Sequence, residues 1–597
     1  MLNRREWLAG TGALVLAGLA TAQSSEDVLL NQFFERIFQR DLDRSPIRQS
    51  RLGIKRDQDK WDDISERRQL QDHRLLQADL RALRRFDRAR LSPQAQLSCR
   101  MFEWLAQDSL KSFTWRRNEY LLTQMGGIHT QVPNTLVNSH PIEGEADARA
   151  YIARLKGVEP LMRQLVVEVR RQELEGVQPP RFVYELVLDP CENILRGQPF
   201  DTAGDSPLWA DFKSKVAKAD LEPAVRANLL AQAQEALKGS VRSGYQHLIA
   251  HLREAAQTAT LLDGVWKLPD GAAYYQWQLE SSTTLAVTAA DLHALGLREI
   301  DRLHTEMSVL ARRSGFSGTL RAFFEYVRED SRFYYPNTAE GRGQCIDDAT
   351  RMLAEVHARE DEFLGRKPRA SVVVKAVEEW RQKSAPKAFY RGPPADGSAS
   401  GVFYVNLYDM KAAPRYQLPV ILYHEAIPGH HVETTIAHEL TGVPRFRRFA
   451  GVSAFSEGWG LYSERLAAEL GLYRDLYADF GRLSLELMRA CRLVVDTGLH
   501  AMHWSRERAV SYLDENMPGS HYDNQREVDR YIVLPGQATA YYVGMSKIVE
   551  LRERARSKLG SRFDVRAFHD TVLGNGPLPL PVLEEIINAW IADRAAA

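Results

Sequence analysis

PVILYHEAIPGHHVE, residues 419–433, is the most informative stretch of the sequence. Four apolar or aromatic residues lead into His424 and Glu425, and His430 and His431 follow shortly after. A helix with His-Glu and a later His can hold zinc, because neutral imidazole is a good zinc ligand. The adjacent Glu can then act as a general base toward water. The stretch therefore predicts a zinc site with His424 as a ligand and Glu425 as the catalytic base.

The spacing of the histidines leaves the second ligand open. The usual motif has its two histidines four residues apart, but position 428 is Pro in this chain. At about 100° per residue, seven steps return to within roughly 20° of the same helix face, and six miss it by about 120°. A regular helix therefore favours His431 over His430. However, Pro428 removes a backbone donor and clashes with the carbonyl of His424, so we expect a local bulge, and either histidine can be the ligand.

A carboxylate from a second helix is expected to complete the site. Residues 453–470 read SAFSEGWGLYSERLAAEL, and Glu457 lies far enough after His430 for a helix end, a loop and a return. Glu464 is the alternative ligand, and a carboxylate in the first turn of a helix is also favoured by the helix dipole alone. We predict Glu457 as the third ligand, with Glu433 and Glu464 as acceptors that orient the imidazoles.

The pattern of these residues resembles a known family. The segments HEAIPGHH (424–431) and EGWGLYSE (457–464) are similar to those of the DUF885 family of presumed zinc metallopeptidases. Further matching segments lie at 494–500, 535–541, 563–570 and 576–580. The resemblance implies a helical zinc-peptidase fold, similar to thermostable carboxypeptidases and oligopeptidases, with one zinc ion per chain. In those proteins Gly often precedes the second His, which favours His430 and leaves His431 as an alternative ligand or outer contact.

Residues outside these two helices are further candidates for the site. By similarity to helical zinc peptidases, Tyr541 could donate to the oxyanion, or it could simply be a packed tyrosine. His500 shares a helix face with Asp496, which could orient it or contact the metal; the alternative is a core histidine. Arg530 could bind a substrate carboxylate or form a surface ion pair, and His569 is a further candidate for substrate binding.

Helical periodicity dominates the rest of the chain. Apolar residues at three-and-four spacing predict long helices at 26–42, 61–90, 146–172, 222–256, 289–314, 337–365 and 477–504. Strands are predicted only at 371–374 and 402–407, and loops at 191–207 and 391–398. We therefore predict a mainly α protein with a small β-sheet beside the metal-binding helix. A helical part is expected at 23–280 and a catalytic part at 281–597.

The second predicted strand suggests a way to bind substrate. An exposed strand edge beside the metal helix can pair with an extended peptide through main-chain hydrogen bonds, which make little demand on peptide sequence. Tyr404 and Asn406 on this strand are then candidate substrate contacts. The alternative is a short interior strand.

Composition and the N-terminus restrict the location and partners of the protein. The 597 residues include 78 basic and 78 acidic side chains, so a broad basic face for nucleic acid is excluded. Residues 1–22, MLNRREWLAGTGALVLAGLATA, resemble a secretory signal, and Arg4-Arg5 suggests the twin-arginine type used for export to a bacterial periplasm. No later run approaches about 18 apolar residues, so the mature chain is not expected to insert in a membrane.

The sequence thus predicts an exported zinc metallopeptidase that hydrolyses short peptides. One alternative is a zinc-dependent hydrolase of another amide or ester, and another is a non-catalytic binding protein on the same scaffold. The four cysteines are far apart, so one pair could form a disulfide or all four could be buried thiols. Oligomeric state, and endo- against exo-cleavage, are left open.

Overall fold

The computed structural model describes residues 25–379, 382, 385–394, 399–412 and 414–596. The predicted signal at 1–22 lies outside the described residues. The first helices are α1 Ser25–Asp43, α2 Pro46–Arg51, α3 Glu66–Leu83, α4 Pro93–Trp115, α5 Ile128–Ser139, α6 Glu145–Lys156, α7 Val158–Leu174, α8 Arg181–Ile194, α9 Pro207–Lys218, α10 Pro223–Ala236, α11 Arg242–Thr258 and α12 Gly271–Thr283. The later ones are α13 Ala289–Arg313, α14 Leu320–Glu329, α15 Ala339–His357, α16 Leu418–Glu425, α17 His430–His438, α18 Arg445–Arg448, α19 Ser453–Glu469, α20 Leu476–Ala501, α21 Arg506–Asn516, α22 His521–Val533, α23 Ala540–Leu559, α24 Val565–Leu573 and α25 Leu580–Ala596. The protein is mainly α, as predicted.

Local sequence signals account for several helix boundaries. The predicted helix at 289–314 is α13, and the hydroxyl of Thr288 caps it by accepting a hydrogen bond from the backbone N–H of Asp291. The helix predicted to begin near residue 61 starts instead at α3, where Ser65 provides the cap. The single helix predicted at 146–172 is divided into α6 and α7 at Gly157. The loop predicted to begin at residue 191 starts later, because α8 runs to Ile194.

Two small sheets lie among the described residues. Strands β1 (Leu122–Thr123) and β2 (Gly126–Gly127) form an antiparallel hairpin. Strands β3 (Val372–Ala376), β4 (Ala388–Arg391) and β5 (Gly401–Val405) form a sheet in the order β3-β5-β4, with β5 parallel to β3 and antiparallel to β4. This second sheet is the small sheet that was predicted.

The expectation of an exposed strand edge at 402–407 is wrong. All five residues of β5 are buried, and β5 lies between the two other strands, so it has no free edge for a substrate. The ring of Tyr404 stacks on Phe389 with 4.9 Å between centroids. The amide of Asn406 donates to the carbonyls of Gln382 and Ala385 and so fastens the turn before β4.

Long helices form the centre of the molecule. Helix α20 is buried along most of its length and packs against α13, and α19 packs against α23. The largest apolar core includes residues from both sides of residue 280, for example Leu165 and Leu487. A boundary between a helical part and a catalytic part near this residue stays a prediction.

Two further predictions concern the chain as a whole. Cys99, Cys191, Cys345 and Cys491 are all buried free thiols, which is the second of the two alternatives. None of the helices within the described ranges combines the length and the apolar character needed to cross a lipid bilayer.

Two glycines allow the close contact between α19 and α23. A Cβ on Gly544 would lie 1.8 Å from the carbonyl oxygen of Ala454, and a Cβ on Gly458 would lie 2.5 Å from the carbonyl carbon of Gly544. We therefore expect Gly544→Ala to destabilise the protein by about 1–3 kcal/mol and to lower the melting temperature measured by circular dichroism.

Gly343 provides the matched control for this substitution. It also lies inside a helix, α15, but a Cβ there would have no atom within 4 Å. Gly343→Ala should therefore leave stability unchanged or increase it by up to about 1 kcal/mol. Equal melting temperatures for the two variants would show that the contact between α19 and α23 is not as tight as described.

Candidate metal centre

The helix is interrupted between the two predicted histidine ligands. Helix α16 ends at Glu425 and α17 begins at His430, so the expected bulge in one continuous helix is instead a change of direction between two helices. A Cβ on Gly429 would lie 1.9 Å from the carbonyl oxygen of His424, so only glycine fits at this position. Once the chain turns here, helical periodicity no longer decides which histidine faces His424.

The break brings three predicted ligands together. Oε2 of Glu457, on α19, lies 3.4 Å from Nε2 of His424 and 3.6 Å from Nε2 of His430. The three potential ligand atoms all lie within 4.8 Å of one another. Two ligands of a tetrahedral zinc ion, each about 2.1 Å from the metal, are separated by about 3.4 Å. The donor set and its spacing therefore fit zinc.

The imidazole of His424 is fixed from the side opposite its ligand atom. Its Nδ1 lies 2.8 Å from Oε1 of Glu464, which is buried on α19 one turn from Gly460. A Cβ on Gly460 would lie 2.6 Å from the imidazole Cε1, so glycine is needed for the helix to pass this close to the ring. A proton on Nδ1 shared with Glu464 leaves Nε2 free as a ligand, which is the usual arrangement around a zinc-bound histidine.

The carboxylates determine the charge of the cluster. Burial alone would lower the pKa of His424, but Glu457 and Glu464 raise it to about 10. Burial alone would raise the pKa of Glu457, but hydrogen bonds and charge from His424 and His430 hold it well below its ordinary value. The carboxylates thus favour positive charge at the two imidazoles, which is the sign of charge that a bound cation would supply.

His431 points away from the cluster. Its Nδ1 accepts a hydrogen bond of 2.9 Å from the hydroxyl of Tyr390, and its Nε2 lies 3.0 Å from the carbonyl oxygen of Ala370. Burial lowers its pKa to about 4, so the ring is neutral and donates to that carbonyl. Both nitrogens are therefore occupied, and His431 connects α17 to the sheet while His430 faces the other ligands.

Glu425 lines a cleft beside the cluster. This cleft has a volume of about 350 Å³ and includes His430, Glu433 and Tyr390 in its walls. Oε1 of Glu433 accepts a hydrogen bond from Ser456, and its Oε2 lies 4.0 Å from Nδ1 of His430, which is beyond hydrogen-bond distance. A carboxylate next to both the ligands and the open cleft is in place to exchange a proton with water.

The structure does not bring His500 and Asp496 together as a pair. Nδ1 of His500 accepts a hydrogen bond from the backbone N–H of Val265, and its Nε2 lies 3.0 Å from the carbonyl oxygen of Tyr531. Asp496 instead accepts hydrogen bonds from the hydroxyl of Tyr275 and the backbone N–H of Gly536. The expectation that Asp496 orients His500 is wrong, because each side chain is occupied by a different neighbouring segment.

Tyr541 and Arg530 contact each other. One Nη of Arg530 donates to the Tyr541 hydroxyl at 3.2 Å and to Oε1 of Gln537 at 2.8 Å. The guanidinium of Arg492 lies over the Tyr541 ring, 4.6 Å from its centroid. Since the Tyr541 oxygen accepts from Arg530, its own proton remains available for donation.

His569 packs against α19, where it contacts Trp459 and Tyr462. It is fully buried, with Nε2 2.7 Å from the hydroxyl of Tyr462 and Nδ1 2.7 Å from the carbonyl oxygen of Phe363. Its ring packs edge-on against Trp459. These contacts give His569 a structural role in packing against α19.

Sequence reasoning did not identify Gly460 or Tyr390 as part of the site. A signal was available for Gly460, because two glycines at 458 and 460 inside a helix are costly unless another group approaches closely. Tyr390 had no such signal, because it lies on a four-residue strand that has no clear alternation.

The fold and the cluster together define a mainly helical protein with a partly buried group of two histidines and one glutamate. The chain belongs to the DUF885 family, described as bacterial protein of unknown function, whose sequence pattern matches residues 46–587. No curated protein matches the sequence.

Solved structures share the fold. A presumed lipoprotein from Colwellia psychrerythraea is 28% identical, with a TM-score of 0.89 over 95% of this chain and 100% of its own. A presumed lipoprotein of unknown function from Shewanella oneidensis is 16% identical, with a TM-score of 0.72 over 94% of this chain and 99% of its own, and shows the fold alone.

The two adjacent histidines allow a direct test of the ligand set. We expect His430→Ala to lose bound zinc, because it removes one of three donors, and His431→Ala to retain it. Metal content after dialysis against zinc, measured by atomic emission, distinguishes the two variants. Zinc lost from His431→Ala but kept by His430→Ala would reverse the assignment.

Glu464 allows a second test. Glu464→Gln removes the charged acceptor at Nδ1 of His424, so zinc affinity in competition with a chelator should fall by about 10- to 100-fold. Glu469→Gln is the control, since Glu469 lies on the same helix but pairs with Arg552. Unchanged affinity in Glu464→Gln would show that this carboxylate does not support the metal ligand.

Proposed function

We propose that this protein is an exported zinc-dependent peptidase that hydrolyses short peptides. The observation that carries the proposal is the cluster of His424, His430 and Glu457, with Glu425 beside it at the wall of an open cleft. Two imidazoles, one carboxylate and an adjacent free carboxylate are the set that metal-assisted hydrolysis of an amide requires.

Zinc held by these three residues would supply a Lewis acid and would make water acidic enough to ionise near neutral pH. Glu425 accepts the proton of the attacking water and delivers it to the leaving amine, so it serves first as base and then as acid. Glu464 holds the His424 ring so that Nε2 faces the cluster. Tyr541, with its proton free, is the proposed donor to the oxyanion. His500 is left out of this role, since backbone groups occupy both its nitrogens.

Strand β4 replaces β5 as the proposed contact for an extended substrate. It is an edge strand of its sheet among the described residues, and Tyr390 on β4 lines the cleft. In an antiparallel pair, alternate residues direct their backbone groups away from the partner strand, so β4 can offer main-chain hydrogen bonds to a peptide. The cleft volume of about 350 Å³ suits a few peptide residues rather than a folded protein.

Export is part of the same proposal. The signal-like segment at 1–22 supports it, and the similar structure from Colwellia psychrerythraea is a presumed lipoprotein. We propose the twin-arginine route to the periplasm on the basis of Arg4-Arg5. Peptide hydrolysis in that compartment needs only the zinc site and no nucleotide or redox cofactor.

Glu425→Gln tests the assignment of the base. The variant should bind one zinc per chain and hydrolyse peptides at least about 10³-fold more slowly than the wild type, because the amide cannot accept the proton of water. Initial rates on a panel of short peptides, measured alongside metal content, check this.

The matched control is Glu515→Gln, since Glu515 is an exposed residue of α21. It should retain both zinc and activity. Chelation should abolish the activity of the wild type, and added zinc should restore it. Full activity of the zinc-loaded Glu425→Gln protein, or of the chelated wild type, would contradict the proposed mechanism.

A further inference from the structure

The cleft at the metal centre continues along α17. A second cavity of about 340 Å³ adjoins it, and His438 and Arg448 line both. The first cavity includes Glu425 and His430, and the second extends to Thr441. Together they form a groove that follows α17 from its first residue, at the metal ligands, to its C-terminal end.

Arg448 provides a cationic group at the junction of the two cavities. Its Nε and one Nη donate to the carbonyl oxygen of His438, the former at 2.9 Å. An arginine has five N–H donors, so three remain on the outer side of the guanidinium. Within the described ranges, no carboxylate lies within ion-pair distance of Arg448, whereas Arg369 pairs with Glu439 and Arg445 with Glu35.

His438 lines both cavities beside Arg448. Its Nδ1 is buried and has no hydrogen-bond partner among the residues that the structure describes. This nitrogen has no exposed surface, so Arg448 is the group that can reach a ligand in the groove. Within the part of the chain that the structure describes, the groove thus has a guanidinium with no carboxylate partner about one helix length from the candidate metal ligands.

We propose that Arg448 binds a carboxylate of the substrate and makes the peptidase selective for acidic ligands. This inference rests on the proposed function. The eight helical steps from His430 to His438 span about 12 Å. An extended peptide covers about 3.3 Å per residue, so the carboxylate lies about three to four residues from the scissile bond. It is either the C-terminal carboxylate of a short peptide or an Asp or Glu side chain.

Two sets of peptides distinguish these sources. The first is a neutral octapeptide with either a free carboxylate or an amide at its C-terminus. The second is the amidated octapeptide with Glu or Gln placed at each position in turn, with the cleaved bond identified by mass spectrometry. We expect the zinc-loaded protein to prefer the acidic member of at least one set by about 10- to 100-fold in kcat/KM. The preferred carboxylate should lie about three to four residues from the cleaved bond.

Arg448→Gln should reduce this ratio to about one while zinc content stays unchanged. Arg445→Gln, on the same short helix, is the matched control, because Arg445 pairs with Glu35 and does not line either cavity. It should retain the wild-type preference. The proposal is overturned if the wild type has no preference in either set, or if Arg448→Gln keeps it.

Binding separates failure of this proposal from failure of the proposed function. Calorimetry with zinc-loaded Glu425→Gln should show tighter binding of the acidic peptide, and the double variant with Arg448→Gln should bind both peptides equally. If the acidic peptide binds more tightly but the wild type hydrolyses no peptide, the carboxylate site is supported and the peptidase function is rejected. Equal binding of acidic and neutral peptides by Glu425→Gln would reject the carboxylate site.

Discussion

The ligand cluster depends on how closely α19 approaches the imidazole of His424. Glu457, Gly460 and Glu464 lie at positions i, i+3 and i+7 and share one face of this helix. Glu457 is beside Nε2, Gly460 passes over the ring, and Glu464 is beside Nδ1. One helix face thus provides a ligand, the space for the ring and the group that orients it. A side chain at position 460 would separate the helices and move both carboxylates away from the imidazole.

A second layer of contacts holds α19 in this place. On its other side, glycines 458 and 544 allow backbone contact with α23. The hydroxyl of Tyr462 meets the neutral ring of His569 and also accepts a hydrogen bond from Arg552. Burial lowers the pKa of His569 to about 4, which keeps this histidine uncharged next to Arg552. A buried polar network of this kind fixes position more strictly than apolar packing, since each group requires its partner.

The sequence predicts those features that depend on local periodicity. The cap and length of α13 follow from Thr288 and the apolar spacing after it, and the candidate ligands His424 and Glu457 follow from a known chemical pattern. The choice of His430 over His431 could not be derived from helix geometry, because the break at Gly429 removes the regular helix on which the calculation relied. The expectation that β5 has an exposed edge was also wrong, because the edge strand β4 has only four residues and gives no periodic signal.

Residues distant in sequence build the wall of the cleft. Phe446 of α18 packs on Phe34 of α1, with 4.9 Å between ring centroids. The fully buried Arg447 donates to Gln94 of α4 and to the carbonyl oxygen of Asn575. Because α18 is held at these points, the next residue, Arg448, has its guanidinium directed toward the end of α17 rather than into solvent. The helices near the N-terminus therefore help to position a charged group of the groove, even though every proposed metal ligand lies more than three hundred residues away in the chain.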